Sequence, residues 1–345
     1  MKEALQKLTE GKGLSLEESI HVANKLFVNE TTEIEIASLL IALKAKGESV
    51  DEIAGLVQAV RQHATTFTTL PFPVMDNCGT GGDGSQSFNI STTAAFVIAG
   101  AGIPIAKHGN RSVSSQTGSA DVLEHLGVSL NLQQEEIKEL LIENGIAFLF
   151  APTVHPQLKR ILNVRKTLKI PTIFNLIGPL TNPLDIETQM LGTYRRDMLE
   201  TMANVLNKLG RKRAVVINGA GYMDEASLAG ENHLAFLNNG KISSFTIHPE
   251  EIGLPLYGNN EIKGGHAKDN ADITLRVLKG EKGAYRDTVL FNAGIAIFAN
   301  GLATSIEKGI EMAEESIDSG SALEKLIYLI NYSKRSRSTK GVMMK

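Results

Sequence analysis

DNCGTGGDGS, residues 76–85, starts in a short apolar run and breaks into glycine. Val74–Cys78 reads as a buried strand, and Gly79–Gly84 as the loop that leaves it. Ile103–Lys107, Ile146–Phe150, Thr172–Asn175 and Ala214–Asn218 are further short apolar runs and read as strands in the same way. Segments such as Gln133–Asn144 and Asp197–Leu209 carry helical spacing between them. The alternation predicts an α/β domain with a mainly parallel sheet.

The loop itself formally satisfies G-x-G-x-x-G through Gly79, Gly81 and Gly84. A dinucleotide site would also need an acid about 20 residues later to hold a ribose. Gly84–Ala120 contains no Asp or Glu, where the chain average would supply about four. The Rossmann reading fails on that absence. A Walker A reading fails because no Gly-Lys-Ser/Thr ends the loop. What remains is anion chemistry. The glycines expose backbone N–H groups, and Asn89, Ser91, Thr92 and Thr93 bring short polar side chains to an expected helix start. KHGNRSVSS, residues 107–115, follows a second expected strand with two full cations, a histidine and several hydroxyls. Phosphoryl oxygens suit that set, because no nearby carboxylate in the sequence neutralises it.

A second constellation, NGAGYMDEAS at 218–227, also leaves an expected strand. An adjacent Asp-Glu pair is ordinarily a wet turn. On a glycine-rich loop beside a polyanion site, Asp224 and Glu225 suit Mg²⁺, which takes one or two carboxylates and fills its shell with phosphate oxygens and water. PTVHP at 152–156 and Arg165 lie beyond another strand, and neither points to a role by itself.

Ahead of the glycine loop, the first 66 residues read as a helical unit. Three Ser/Thr-x-x-Glu capping boxes punctuate it: Ser15 with Glu18, Thr32 with Glu35, and Ser49 with Glu52. Apolar residues at helical spacing follow each, and Gly47 is placed to stop the middle helix. Thr65–Pro73 is a linker by composition. The tail from Ser333 to Lys345 carries five Lys or Arg and no acid, and reads as a solvated terminus.

The 345 residues and 37.2 kDa fit two domains. An apolar fraction of 42% and a charged fraction of 21% exclude disordered, collagen-like and disulfide-scaffold classes. The net charge of −3 gives no reason to expect duplex binding. Cys78 is the single cysteine and cannot form an internal bridge. With no signal-peptide pattern and no apolar run long enough to span a membrane, a reducing cytoplasmic setting is expected.

Read in order, the glycine loop, Lys107–Ser115, GSADVLE at 118–124, PTVHP, Arg165, IFNLIGPLTNP at 173–183 and MDEAS at 223–227 resemble the anthranilate phosphoribosyltransferase family of tryptophan biosynthesis. The resemblance covers almost the whole chain. It implies a homodimer with a helical domain at 1–70, completed by a helical segment near 155–187. A larger α/β domain of the nucleoside-phosphorylase type would occupy 71–333, with a basic tail at 334–345. It also implies a Mg²⁺-dependent glycosyltransferase that moves phosphoribosyl from phosphoribosyl pyrophosphate to the amino group of anthranilate. By motif, Gly79, Gly82, Asp83, Ser87, Asn89, Ile90, Ser91, Thr92, Lys107, His108, Gly109, Asn110, Arg111, Ser112, Val113, Ser114, Ser115 and Ser119 would hold phosphoribosyl pyrophosphate. Ser91, Asp224 and Glu225 would hold two Mg²⁺ ions, and Gly79, Asn110 and Arg165 would contact anthranilate. No general base is implied. Two positions depart from the family pattern: Ser87 stands where Thr is common, and Asn163 where Pro is usual. The rival readings are a nucleoside phosphorylase and a non-catalytic nucleic-acid-binding relative.

Overall fold

A computed structural model describes residues 1–111 and 116–343. The chain opens with four helices: α1 (Lys2–Thr9), α2 (Leu16–Lys25), α3 (Glu33–Lys46) and α4 (Val50–Gln62). The last three begin at Ser15, Thr32 and Ser49. Each cap side chain accepts the N–H of the glutamate three residues on, and that carboxylate returns to the cap's own N–H. Gly47 closes α3 at φ 89°, a conformation that a side chain would disfavour. The α1 cap makes no side-chain hydrogen bond. Glu52 does more than cap. Fully buried, its carboxylate accepts from Leu14 N (3.0 Å), Ser49 N (2.8 Å) and Lys46 Nζ (2.9 Å), tying the α1–α2 turn to α4.

The remaining elements follow as β1 (Val74–Gly79), α5 (Ile90–Gly100), β2 (Ile105–Gly109), α6 (Ser119–His125), α7 (Gln134–Glu143), β3 (Ile146–Phe150), α8 (Ala151–Val154), α9 (Lys159–Leu168) and α10 (Phe174–Ile177). After them come β4 (Ile186–Gly192), α11 (Leu199–Lys208), β5 (Arg213–Asn218), β6 (Asn232–Asn238), β7 (Lys241–Ile247), α12 (Ala267–Leu278), α13 (Ala284–Asn300), α14 (Ile306–Asp318) and α15 (Ser321–Met343). Among the described residues the strands form one sheet in the order β3-β2-β1-β4-β5-β6-β7. The pairings from β3 to β5 are parallel, and β6 and β7 add as antiparallel strands.

Strand alternation divides the sheet's side chains between two cores. Met190, Val215, Ile217 and Leu234 join the core built on α5, α13 and α14. Leu191, Ala214, Val216, Ala235 and Leu237 join a second core, shared with α11, α9, α10 and the four N-terminal helices. The helical unit is therefore packed onto one face of the sheet.

Several elements differ from the expectation. Thr172–Asn175 is not a strand but a turn running into α10, in which Asn175 Oδ1 accepts the Thr172 N–H at 3.0 Å. A short apolar run does not by itself separate strand from buried helix. The second strand lies two residues later than expected, after Gly102 at φ 96° and Pro104. β4, β6 and β7, with α12–α15, are additions. The tail is not a free terminus where it begins. Ser333 is buried on α15, accepting from Ser129 N at 2.9 Å and donating to the Leu329 carbonyl at 2.8 Å. Ser336 bonds to Glu136, and Arg335 lies over the rings of Tyr328 and Tyr332.

Removing Glu52 leaves two N–H groups and the Lys46 ammonium without their shared acceptor. Glu52→Ala should lower the free energy of unfolding by about 3 kcal/mol in urea denaturation followed by circular dichroism. A loss below about 0.5 kcal/mol would show that the carboxylate is dispensable.

Candidate active site

Strand order reverses between β1 and β4, where a parallel sheet opens a crevice at the carboxyl ends of its strands. Gly79 ends β1 and Gly192 ends β4 as register partners. Thr80 N continues the pairing to the Gly192 carbonyl at 2.9 Å. The loop after β5 folds back over this edge. A β-carbon at Gly79 would overlap the Asp224 carboxylate, and one at Gly192 would overlap the Asp224 carbonyl oxygen. These glycines are required by close approach of another backbone, not by an unusual φ.

That approach buries carboxylates. Asp224 Oδ2 accepts from Gly81 N at 2.5 Å, and the Asp224 N–H donates to Asp83 Oδ2 at 3.3 Å. Glu225 Oε1 accepts from Ser91 N at 3.2 Å. Desolvation, then repulsion from Asp83 and Glu225, holds the Asp224 carboxyl well above the usual range. Desolvation pushes Glu225 up to about 7, with nearby Lys107 opposing it. Two loops thus bring Asp83, Asp224 and Glu225 together with too little positive charge. A divalent cation fits that deficit. Among the described residues no group of three or more His, Cys, Asp or Glu could hold a metal by itself. An ion on Ser91, Asp224 and Glu225 would need oxygens from ligand and water, as Mg²⁺ commonly does.

On the other side of the crevice, α5 starts at Asn89 with no side-chain cap and no acid in its first turn. Its first N–H groups face an end of positive helix potential. Ser87 pairs with Lys263 as an isolated bridge beside the loop. Ile90 and Thr92 are buried, and among the described residues the Thr92 hydroxyl has no hydrogen-bond partner. Gly82 lies on the glycine loop near the Tyr194 ring. Lys107 is buried, with Nζ donating to the Asn77 carbonyl at 2.8 Å, and Asn77 Nδ2 donates to the Ser91 carbonyl at 2.8 Å. Beyond Gly109, the Asn110 carbonyl accepts from Ser119 Oγ and Ala120 N, both at 3.2 Å. Ser112, Val113, Ser114 and Ser115 lie outside the described residues.

Arg111 corrects one sequence inference. It pairs with Asp121 at 2.7 Å and Glu124 at 2.9 Å on α6. The acid-free stretch ends at Ala120, and the helix that follows turns its first carboxylates back onto this arginine.

Alternation on β2 sends Lys107 and His108 to opposite sides of the sheet. The His108 ring meets His155 edge-on at 5.2 Å, both buried. Burial pushes His108 down to about 3, with His155 lowering it further, and pushes His155 down to about 4. Arg165, on α9, donates to Asn175 Oδ1 at 3.1 Å and lies over the Phe174 ring. Among the described residues its buried Nε has no hydrogen-bond partner, and no carboxylate offsets its desolvation. Asn175 and Gly178 belong to one short segment, and the Gly178 backbone bonds the His108 ring. Arg165 and the two histidines therefore flank the same segment. Cys78 supplies no nucleophile, since burial raises its thiol to about 12.

Sequence reasoning missed the asparagines that shape these loops. Asn292, on α13, accepts from Ala226 N at 2.8 Å and donates to the Ala226 carbonyl at 2.9 Å. Asn232 treats Ser227 in the same way, at 2.7 and 2.9 Å. Asn218 Nδ2 donates to the Thr193 carbonyl at 2.7 Å, and Asn182 Nδ2 donates to Asp76 Oδ2 at 2.9 Å. An asparagine far along the chain carries no mark of such a role, because only the fold brings it to the loop.

Both imidazoles stay neutral in the folded chain to well below the ordinary histidine value near 6.5. The unfolded chain then binds more protons, so the histidines cost stability as pH falls from about 6.5 toward 4. Buried Asp76, held near 6, acts oppositely, so the effect is read as a difference between proteins. His155→Gln should reduce the acid-side loss by up to about 1.4 kcal/mol per pH unit in urea titrations near pH 7 and pH 5. Equal slopes for the two proteins would refute the buried neutral imidazole.

Comparisons with known proteins place the whole chain in a family. A family model described as glycosyl transferase family, a/b domain, matches residues 72–323, and its helical bundle counterpart matches residues 2–64. Anthranilate phosphoribosyltransferase of Exiguobacterium sibiricum is 60% identical over 329 residues, covering 95% of this chain and 97% of the relative. The crystal structure of the Thermus thermophilus enzyme superposes with a TM-score of 0.91 at 39% identity, covering 96% of this chain and 99% of that one. The Saccharomyces cerevisiae enzyme in complex with PRPP and Mg gives a TM-score of 0.88 at 27% identity, covering 96% and 97%. With both family models in chain order and identity extending over nearly the full length, the chain belongs to the anthranilate phosphoribosyltransferase family.

Proposed function

We infer that the chain transfers the phosphoribosyl group of phosphoribosyl pyrophosphate to the amino group of anthranilate, releasing pyrophosphate. The observation that carries this reading is the crevice between β1 and β4. There a buried Asp224 and a half-buried Glu225 face a glycine loop and the start of α5, which lacks a side-chain cap. Relatives carrying that name, and the yeast structures with PRPP and Mg and with 4-fluoroanthranilate, support it. A phosphorylase would have no use for the carboxylate pair.

In this reading Gly79, Gly82, Asp83, Ser87, Asn89–Thr92, Lys107–Ser115 and Ser119 surround phosphoribosyl pyrophosphate. Backbone N–H groups of the loop and of α5 take its phosphate oxygens. Ser91, Asp224 and Glu225 would hold two Mg²⁺ ions, which when bound would supply charge stabilisation to the pyrophosphate leaving group. Lys107, fixed on Asn77 and near Glu225, adds permanent positive charge on the same side. Gly79, Asn110 and Arg165 receive anthranilate. A half-buried guanidinium with one neutral partner is suited to its carboxylate. The aromatic amine is already unprotonated near neutral pH, so positioning replaces a dedicated base.

A homodimer fits the surface of the helical unit. Ile34 is 78% exposed on α3, with Ile41 one further turn pair along, while Leu162 is exposed on the adjoining α9. A second copy of the chain would cover this apolar strip. The lone reduced-type cysteine suits a cytoplasmic enzyme. No helix among the described residues is long and apolar enough to cross a membrane.

The deciding experiment follows anthranilate fluorescence on mixing with phosphoribosyl pyrophosphate and Mg²⁺, then with EDTA. Fluorescence should fall with Mg²⁺ and stop falling with the chelator; a folded chain that leaves it unchanged would refute the reading. Asp224→Asn and Glu225→Gln should each lose Mg²⁺-dependent turnover while remaining folded. Arg165→Ala should raise the anthranilate KM by about tenfold or more, and that of phosphoribosyl pyrophosphate much less. An equal rise in both would displace Arg165 from the acceptor site.

A further inference from the structure

We propose that Asn270, on α12 and outside every motif named above, is a positioning residue that sets the polarity of Asn89 at the phosphoribosyl pyrophosphate site. The inference rests on the substrate assignment just made. Asn270 is 2% exposed, and its amide is fully engaged. Its Oδ1 accepts from Gly265 N at 2.9 Å, and its Nδ2 donates to Asn89 Oδ1 at 2.8 Å. Asn89 Nδ2 in turn donates to the Thr117 carbonyl at 3.4 Å, and Thr117 Oγ1 donates to the Gly265 carbonyl at 2.8 Å.

The direction of this ring is not arbitrary. A backbone N–H only donates and a backbone carbonyl only accepts, so both ends of the relay are fixed. Gly265 N requires the oxygen of Asn270, which leaves its NH₂ for Asn89. Asn89 must answer with its oxygen, so its own NH₂ turns to the Thr117 carbonyl, just ahead of α6. A donor, not an acceptor, is presented on the side where phosphoryl or ribose oxygens would lie. The same contact joins three otherwise separate segments. Gly264 N donates to the Gln86 carbonyl and Phe88 N to the Ile262 carbonyl, at 2.9 and 3.1 Å. Residues 262–265 are therefore seated on Gln86–Phe88, between the glycine loop and α5, while Asn270 locks them to the start of that helix. A β-carbon at Gly264 would meet both Asn270 Oδ1 and the Phe88 backbone, so the seat is tightly shaped.

Asn270→Asp keeps the acceptor for Gly265 but faces Asn89 with a second acceptor. Asn89 must then invert, opposing its oxygen to the Thr117 carbonyl. Asn270→Ser removes the amide without adding charge. A neighbouring α5–α12 contact provides the control: Thr274 Oγ1 lies 2.9 Å from Thr93 Oγ1, which itself donates to the Asn89 carbonyl at 3.0 Å, and Thr274→Val breaks the first contact while leaving both bonds of the Asn89 side-chain amide in place.

The test varies each substrate with the full chain in Mg²⁺ and measures phosphoribosyl pyrophosphate binding by calorimetry. Asn270→Asp should raise the KM and Kd for phosphoribosyl pyrophosphate by about tenfold or more, with the anthranilate KM within about twofold. Asn270→Ser should shift the same constant in the same direction, and it carries the test if the aspartate variant does not fold. Thr274→Val should lower the melting temperature with both KM values unmoved. The double variant Asn89→Ala with Asn270→Asp should be no worse than Asn89→Ala alone, because the two residues act as one unit. An unmoved phosphoribosyl pyrophosphate KM in a folded Asn270 variant, or a parallel rise for both substrates, would overturn the proposal while leaving the activity intact. Absence of turnover in the wild-type chain would instead remove the activity, and this inference with it.

Discussion

Three backbones meet where the loop after β5 lies across the carboxyl ends of β1 and β4, and the closeness of that contact governs the rest of the site. Asp224 sits where side chains at Gly79 and Gly192 would be, so its carboxylate is removed from water and placed against main-chain N–H groups. Burial of this kind is unfavourable for a charged group unless something compensates. The Gly81 and Ser91 N–H groups compensate in part, and Lys107 contributes from beneath. The remaining deficit is what the proposed cation would neutralise. Chemistry and packing are here the same feature.

The loops around this contact are irregular, yet they lie among buried elements. Their polar groups must be satisfied without more charge being added near Asp224 and Glu225. Asparagine solves this, because one neutral amide both donates and accepts. Asn292 and Asn232 each grip one residue of the carboxylate loop by both its N–H and its carbonyl. Asn182 answers buried Asp76 below the sheet, and Asn77 links Lys107 to the start of α5. An aspartate at any of these places would supply acceptors only and add repulsion. The helices α12 and α13 thus take part in the site through side chains that never need to meet a substrate.

Legibility of the sequence followed the range of the interactions involved. The boxes at Ser15, Thr32 and Ser49 are closed within four residues, so their helices were readable to within a residue. The glycine loop was readable because glycine and the missing acids are local facts. β4, β6 and β7 carry no comparable local mark, and Thr172–Asn175 reads as a strand although it leads into α10, because a short apolar run reports burial more reliably than conformation. Arg111 illustrates the same limit from the electrostatic side. Counting carboxylates along the chain stopped at Ala120, whereas the α6 helix brings Asp121 and Glu124 back within ion-pair distance.

The helical start, the α/β class, the glycine-rich loops and the acidic pair are all written in neighbouring residues and their spacing. Which loops share the crevice, how Asp224 comes to lie on Gly79 and Gly192, and which asparagines hold its loop there follow from the fold. The reason is geometric. Gly81 and Asp224 make a hydrogen bond across 143 positions of chain, and no local pattern of propensity or charge encodes a contact over that separation.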